Sequence, residues 1–148
     1  MKVAIAAAGR FHAIRLAQEL EKRSALTVLF SASVTDRDYD YLQKKHVIMM
    51  YSCALIDCWY ARLRLNYLIR PTVVNSWKDA LFGCLVSRNL KDYSDLDIFT
   101  GWAHYCYESL DLIKKKARYF ILESGSAHIA YQDKLLREEY AQAGQSYA

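Results

Sequence analysis

The sequence has little proline and glycine and lacks a long apolar run. One proline and five glycines occur among 148 residues, which excludes collagen-like and low-complexity chains, and a hydrophobic fraction of 53% excludes intrinsic disorder. No stretch approaches the roughly 20 consecutive apolar residues that a membrane-spanning helix needs, so any membrane contact should be peripheral. We expect a single domain over residues 1–148.

Motifs that mark common enzyme classes are also missing. There is no G-x-S-x-G elbow, Walker A loop or H-E-x-x-H pair, which argues against the serine hydrolases, P-loop NTPases and zinc proteases that carry them. The four cysteines form no C-x-x-C pair and no Cys/His set has zinc spacing, so we expect reduced thiols, a cytoplasmic protein and no bound metal. A net charge of +4 is too small to indicate nucleic-acid binding.

Short apolar runs alternate with helical patterns along the chain. The runs of strand type are residues 2–8, 26–32, 47–51, 96–102 and 118–123. Helical patterns begin at Phe11 and cover residues 54–70, 76–89, 103–117 and 127–143, with Ser76 as an N-cap and with little or no helix between the second and third runs. This alternation predicts an α/β, three-layer Rossmann-like domain with a mostly parallel sheet.

Ligands of such sheets bind beyond the carboxyl ends of the strands, so three junctions become candidates. After the first strand, Gly9 permits a tight turn that leaves helix amides exposed, although the G-x-G-x-x-G of a dinucleotide loop is missing. The other junctions are residues 100–102 and 123–128. In the last of these, Ser126 is either a simple helix cap or part of a phosphate or sugar site.

Three D-x-D patterns suggest a metal-dependent sugar transferase, in which paired carboxylates hold a divalent ion and a diphosphate. They are Asp36-Arg37-Asp38, Asp38-Tyr39-Asp40 and Asp95-Leu96-Asp97. The pattern is short and common by chance, so we expect solvated loop carboxylates instead.

Residues 59–67 combine aromatic side chains with Arg62 and Arg64. This composition suits an anionic membrane interface or a partner helix, and it also fits an amphipathic helix on the sheet with its arginines in water. The sequence leaves these alternatives open, and any peripheral membrane contact is expected through residues 57–70.

Three blocks of the sequence together resemble the N-terminal domain of family 4 glycosyltransferases. They are KVAIAAAGRFHAIRLAQELEKR, LDIFTGWAHYCYESL and FILESGSAHIAYQDKLLREEYAQAG. The last block is the most specific, because Glu123, Gly125, Ser126 and His128 match a strand, Glu-x-Gly-Ser, His, helix pattern. The resemblance implies one half of a GT-B fold, in which the first domain binds the acceptor, the second binds the nucleotide-sugar, and anomeric configuration is retained, usually without a metal.

The resemblance also assigns roles to residues at the three junctions. It implies that His128 and Glu123 act on the sugars as catalytic residues. The implied substrate-binding residues are Gly9, Arg10, His12, Thr100, Gly101, Trp102, Gly125 and Ser126. Thr100 stands where many relatives have histidine, which leaves the role of that position open.

The family's donor-domain signature, two glutamates separated by seven residues, does not occur in the sequence. We therefore expect an acceptor-binding half that is inactive alone. Its acceptor would be a glycan or a lipid-linked molecule, and its partner would be a donor-binding domain or partner chain. No cofactor is expected besides the nucleotide-sugar co-substrate. The alternative is a stand-alone, non-catalytic α/β ligand-binding or interaction module, a degenerate relic.

Overall fold

The computed structural model describes residues 1–10, 12–124 and 129–144, with the backbone alone for Asn66, Ile129 and Ala130. Within these residues, five strands form one all-parallel sheet in the order β3-β2-β1-β4-β5. The strands are β1 (Val3–Ala7), β2 (Leu26–Ser31), β3 (Val47–Met49), β4 (Leu96–Trp102) and β5 (Ala117–Glu123). The helices are α1 (Ala13–Lys22), α2 (Tyr51–Arg62), α3 (Pro71–Leu90), α4 (Leu110–Lys116) and α5 (Ile129–Gln142).

Helices cover both faces of the sheet at β1 and β2, which confirms the predicted three-layer α/β architecture, while the edge strand β5 leaves Tyr119, Ile121 and Leu122 exposed. Side chains alternate along the central strand, so Ala4 and Ala6 pack against α3 and α4, whereas Val3, Ile5 and Ala7 pack against α1. All five of these β1 side chains are buried, as a central parallel strand requires. The hydrophobic core therefore consists of two layers separated by the sheet.

The strand predictions agree with the structure to within two residues at each end. Between β2 and β3 the described chain forms only two short 3-10 helices, Asp36–Asp40 and Lys44–His46, so the weak or absent helix expected there is confirmed. The runs at β1 and β2 were predictable from sequence because both faces of these strands are buried.

The prediction that Ser76 is an N-cap is wrong, because α3 begins five residues earlier at Pro71. Proline suits the first helical position, where its missing N–H leaves no hydrogen bond unmade. Inside the helix, the Ser76 hydroxyl instead donates to the carbonyl of Thr72 at 3.0 Å. The helical pattern over residues 54–70 also ends early, at Arg62, because Arg64 adopts a left-handed conformation with φ 51°.

The helix predicted over residues 103–117 is mostly irregular. Residues 103–106 form a turn in which His104 has φ 76°, a short 3-10 helix follows at Tyr107–Ser109, and only Leu110–Lys116 is α-helical. The last helix is described over Ile129–Gln142, and Gly144 follows it in the left-handed region, as expected of a helix stop. None of the helices in the described residues is long and apolar enough to cross a membrane.

Asp38 does not behave as the solvated loop carboxylate expected for the D-x-D patterns, since it is only 6% exposed. Both Arg10 guanidinium Nη atoms donate to its two oxygens at 2.9 Å. The Thr35 amide and hydroxyl add bonds of 2.8 and 2.7 Å, which cap the first 3-10 helix. Burial alone would raise the pKa of Asp38, but these hydrogen bonds lower it below the ordinary value. Asp38 therefore joins the loop after β1 to the loop after β2.

Replacing Asp38 with Asn should destabilise the fold by about 1–3 kcal/mol at neutral pH, because donors of Arg10 and Thr35 lose a charged acceptor while Arg10 keeps partial hydration. A carboxyl whose pKa is lowered on folding stabilises the folded state while it is ionised. The difference in stability between the two proteins should therefore shrink as the pH falls below 3.8, the ordinary pKa of an aspartate. Urea unfolding of both proteins across this pH range measures it. The exposed neighbour offers a control, since Asp40→Asn should change stability by less than about 0.5 kcal/mol. Equal losses from both variants would contradict a specific role for Asp38.

Candidate functional site

The carboxyl ends of the parallel strands meet at one edge of the sheet, which is here called the rim. The strand order reverses between β1 and β4, where α1 leaves β1 on one face and α4 follows β4 on the other. Such a switch point opens a crevice between adjacent strand ends. The rim is therefore where the fold itself places a ligand site.

A cleft of about 560 Å³ lies at the rim on the side of α2 and α3. Loop residues after β1 and β2 form its floor, helix residues form its walls, and Tyr105 closes the end beside β4. The lining residues are Ala8, Gly9, Ala32, Ser33, Cys53, Ala54, Asp57, Asn75, Lys78, Asp79 and Tyr105. A depression of about 620 Å³ lined by Glu21 and residues 39–45 lies before β3, away from the rim.

Lys78 is placed in the cleft by the apolar face of α3. The buried residues Val74, Phe82, Val86 and Leu90 recur every four or eight positions along this helix, and Lys78 occupies the same face between the first two. Its ammonium forms an ion pair with Asp57 of α2. The pair spans the cleft wall from one helix to the other and holds Lys78 at an otherwise apolar position.

Asp79 lies next to Lys78 and is half-buried beside Tyr105. Burial raises the pKa of Asp79 above the ordinary value, and repulsion from Glu108 adds to this, while attraction from His104 and Lys78 opposes it. A carboxyl with this surrounding is suited to exchange a proton or to accept a hydrogen bond from a ligand hydroxyl. Burial also raises the pKa of the Cys53 thiol, which keeps that side chain neutral.

A second polar group lies where β1, β4 and β5 end. The exposed His12 Nε2 is 3.8 Å from Glu123 Oε2, and the His12 ring is 6.1 Å from the ring of Trp102. Trp102 and Glu123 are register partners in neighbouring strands, and the Glu123 carbonyl accepts from the Ala103 amide at 2.8 Å. The structure thus brings together three of the residues that the sequence singled out.

The remaining predicted site residues divide into three groups. Gly9 lines the cleft, whereas the Arg10 guanidinium binds Asp38 and also contacts the Ser33 carbonyl at 3.2 Å. Thr100 and Gly101 are buried within β4. Gly125, Ser126 and His128 lie outside the described residues, so their roles remain predictions, as do the binding roles of the others.

Sequence reasoning missed the four cleft residues Asp57, Asn75, Lys78 and Asp79. Lys78 alone carried a signal, because a lysine interrupts the apolar face of a long helix. Asn75 and the two aspartates resemble ordinary surface positions, and only the packing of α2 beside α3 puts them on one wall. The Asp95-Leu96-Asp97 pattern lies at the opposite edge of the sheet, where Asp97 accepts from the Lys2 amide at 2.7 Å.

Among the described residues, no group of three or more His, Cys, Asp or Glu side chains is arranged to hold a metal ion. The rim offers two polar groups of protein side chains: the cleft around Lys78 and Asp79, and the His12–Glu123 pair where β1, β4 and β5 end.

Substituting Gly101 with alanine should destabilise the protein by about 1–3 kcal/mol, since the new methyl would overlap the Cys106 sulfur and press on the Phe120 ring. Adding Cys106→Ala should restore part of the stability by removing the sulfur, which denaturant unfolding of the two single variants and the double variant would measure. Strict additivity of the two single effects would show that Gly101 is not restricted by this sulfur.

Asp79→Asn should raise the midpoint of thermal unfolding at pH 7 by about 1–3 °C, a small gain because solvent screens this half-buried group. The raised pKa of Asp79 means that the folded state disfavours its charge, so a neutral amide removes that cost. The gain should vanish as the pH falls towards 3.8, where the wild-type carboxyl is itself protonated. The exposed Asp111→Asn serves as control, and a pH-independent gain for Asp79→Asn would contradict this explanation.

Comparison with known proteins adds no relative: no family model matches the chain, and no curated protein or solved structure matches it. The parallel sheet and its flanking helices show a three-layer, Rossmann-like α/β domain.

Proposed function

We propose that this chain is the acceptor-binding domain of a retaining glycosyltransferase, with the acceptor saccharide held in the cleft at the rim. The observation that supports this most directly is the cleft's lining: one ammonium, two carboxylates, an amide and two hydroxyl-bearing side chains converge on about 560 Å³. A pocket of this size with a few convergent polar groups is typical of a small-molecule site.

The charges of the cleft favour a neutral, hydroxyl-rich ligand over a phosphate. Lys78 is the one cation among the described lining residues, and its charge is already paired with Asp57. Asp79 adds a second carboxyl, so a diphosphate placed here would meet net negative charge. Carboxylates and amides accept hydrogen bonds from sugar hydroxyls, and the ammonium donates to them, without a charge of the ligand being required.

The ion pair of Arg10 also indicates that this chain does not bind the donor phosphates. Its guanidinium makes two bonds to Asp38, and binding a donor phosphate would cost that buried partner its charge-assisted hydrogen bonds. We therefore propose that a separate donor-binding domain or partner chain supplies the cations that hold the nucleotide diphosphate. The pair of His12 and Glu123 would then face the transferred sugar, and turnover would require both domains.

The direct test is a ligand titration of the 148-residue chain in which NMR shifts of the backbone amides report binding. The probes are a neutral oligosaccharide series, polyprenyl diphosphate-linked saccharides in detergent, and nucleotide-sugars. We expect a saccharide to shift amides of Ser33, Asn75 and Tyr105. Lys78→Met should weaken that binding by about tenfold, the order expected for one charged hydrogen-bonding partner. Lys114→Gln, which removes a lysine charge from the exposed face of α4, should leave it unchanged.

Two results would contradict the proposal. Nucleotide-sugars that bind the cleft more tightly than any saccharide would reverse the assignment of acceptor and donor. A cleft that binds none of the three probe classes would favour the stand-alone, non-catalytic module instead.

A further inference from the structure

The helical hairpin formed by α2, the turn at residues 63–70 and the first turns of α3 exposes a large apolar surface. Tyr51, Leu55 and Trp59 of α2 and Leu63 at its C-cap recur every four residues, so they form one stripe on one face of the helix. Each of the four is more than half exposed. A helix that packs on a sheet normally buries such a stripe, and α2 leaves it in solvent.

The same surface continues over the turn into α3. Tyr67 and Leu68, at the tip, are 82% and 83% exposed. Val73 and Trp77, one helical turn apart in α3, are exposed as well. Two of the chain's three tryptophans therefore lie on this hairpin, while Trp102 is buried. Exposed apolar patches of this extent mark interaction surfaces.

The charge at the tip of the hairpin has one sign. Residues 58–78 contain no aspartate or glutamate, and they include Arg62, Arg64 and Arg70. All three arginines are exposed, and within the described part of the chain none of them forms an ion pair. The arginines flank the most exposed apolar residues at the tip, so both kinds of side chain can reach the same surface.

The hairpin is closed and extends beyond the sheet. The Tyr60 hydroxyl donates to the Ile69 carbonyl at 2.6 Å, and the pair of Lys78 and Asp57 joins the two helices. With 20 residues, α3 is about 30 Å long, whereas the seven residues of β4 span about 23 Å. Since the buried residues of α3 are concentrated in its second half, the first turns carry the tip past the rim.

We propose that the tip of this hairpin, residues 59–77, docks onto an anionic lipid bilayer. Trp59, Leu63 and Trp77 enter the boundary between headgroups and acyl chains, where aromatic rings are favoured, and the arginines bind lipid phosphates. The absence of acidic residues from 58 to 78 favours an anionic surface over a protein partner of mixed charge. The observations that carry this proposal are independent of the saccharide assignment.

Docking in this way would place the cleft beside the membrane. Of the residues that line the cleft, Asp57 lies less than one helical turn before the docking residue Trp59, and Lys78 directly follows Trp77. A substrate anchored in the bilayer would then reach the cleft without leaving the lipid surface.

The test uses the full chain and sedimentation with vesicles of phosphatidylcholine, with and without phosphatidylglycerol. We expect binding to the anionic vesicles, reduction at high salt, and a blue shift of tryptophan emission that Trp59→Phe and Trp77→Phe reduce. Arg62→Gln/Arg64→Gln should weaken binding by about tenfold or more, because each substitution removes one cation that attracts the anionic headgroups. Trp59→Ser/Leu63→Ser should weaken it similarly, because both apolar anchors are removed.

Two matched controls separate docking from general changes of charge and hydrophobicity. Lys114→Gln/Lys115→Gln removes the same charge from α4, and Tyr131→Ser/Leu135→Ser removes exposed apolar side chains from α5. Both should bind vesicles like the wild type, and circular dichroism checks that every variant is folded. No binding to anionic vesicles, equal binding to neutral ones, or equally weakened binding in the controls would overturn the proposal. Dimers in lipid-free solution that the hairpin substitutions dissociate would instead assign this surface to a second copy.

Discussion

The parallel pairing of β1 with β2 on one side and β4 on the other is the constraint on which the rest of the structure depends. A strand in this position is buried on both faces, so its side chains must be apolar and small enough for helices to approach, which the three alanines of Val3–Ala7 satisfy. Parallel pairing also sends every carboxyl strand end to one edge. The rim, the cleft and the His12–Glu123 pair all follow from that common direction.

Helix α3 connects the core to the cleft. Its second half packs Phe82, Val86 and Leu90 into the layer behind the sheet, and the same helical face carries Lys78 into the cleft. Asp79 is the next residue, and its raised pKa shows that the fold keeps a carboxyl where the charged form is disfavoured. Groups of this kind cost stability, and proteins commonly tolerate that cost at sites that act on a ligand.

The two loops that follow β1 and β2 are joined mainly through a buried carboxylate. Asp38 binds Arg10 from one loop and caps a 3-10 helix through Thr35 in its own. This arrangement gives the D-x-D pattern a structural role in positioning the floor of the cleft beside Gly9 and Ser33. Arg10 thereby acts first as a positioning residue for the rim.

The sequence by itself determined the strands and their parallel arrangement, and therefore the edge at which the carboxyl ends of the strands meet. A continuous apolar run such as Val3–Ala7 is visible in sequence because burial on both faces leaves no polar position. The start of α3 at Pro71 follows from the preference of proline for the first helical position. The burial of Asp38 depends on Arg10, a partner 28 residues away in the sequence. Only the tertiary structure placed Asp57, Lys78 and Asp79 on one wall, because their proximity arises from packing two helices that sequence periodicity treats separately.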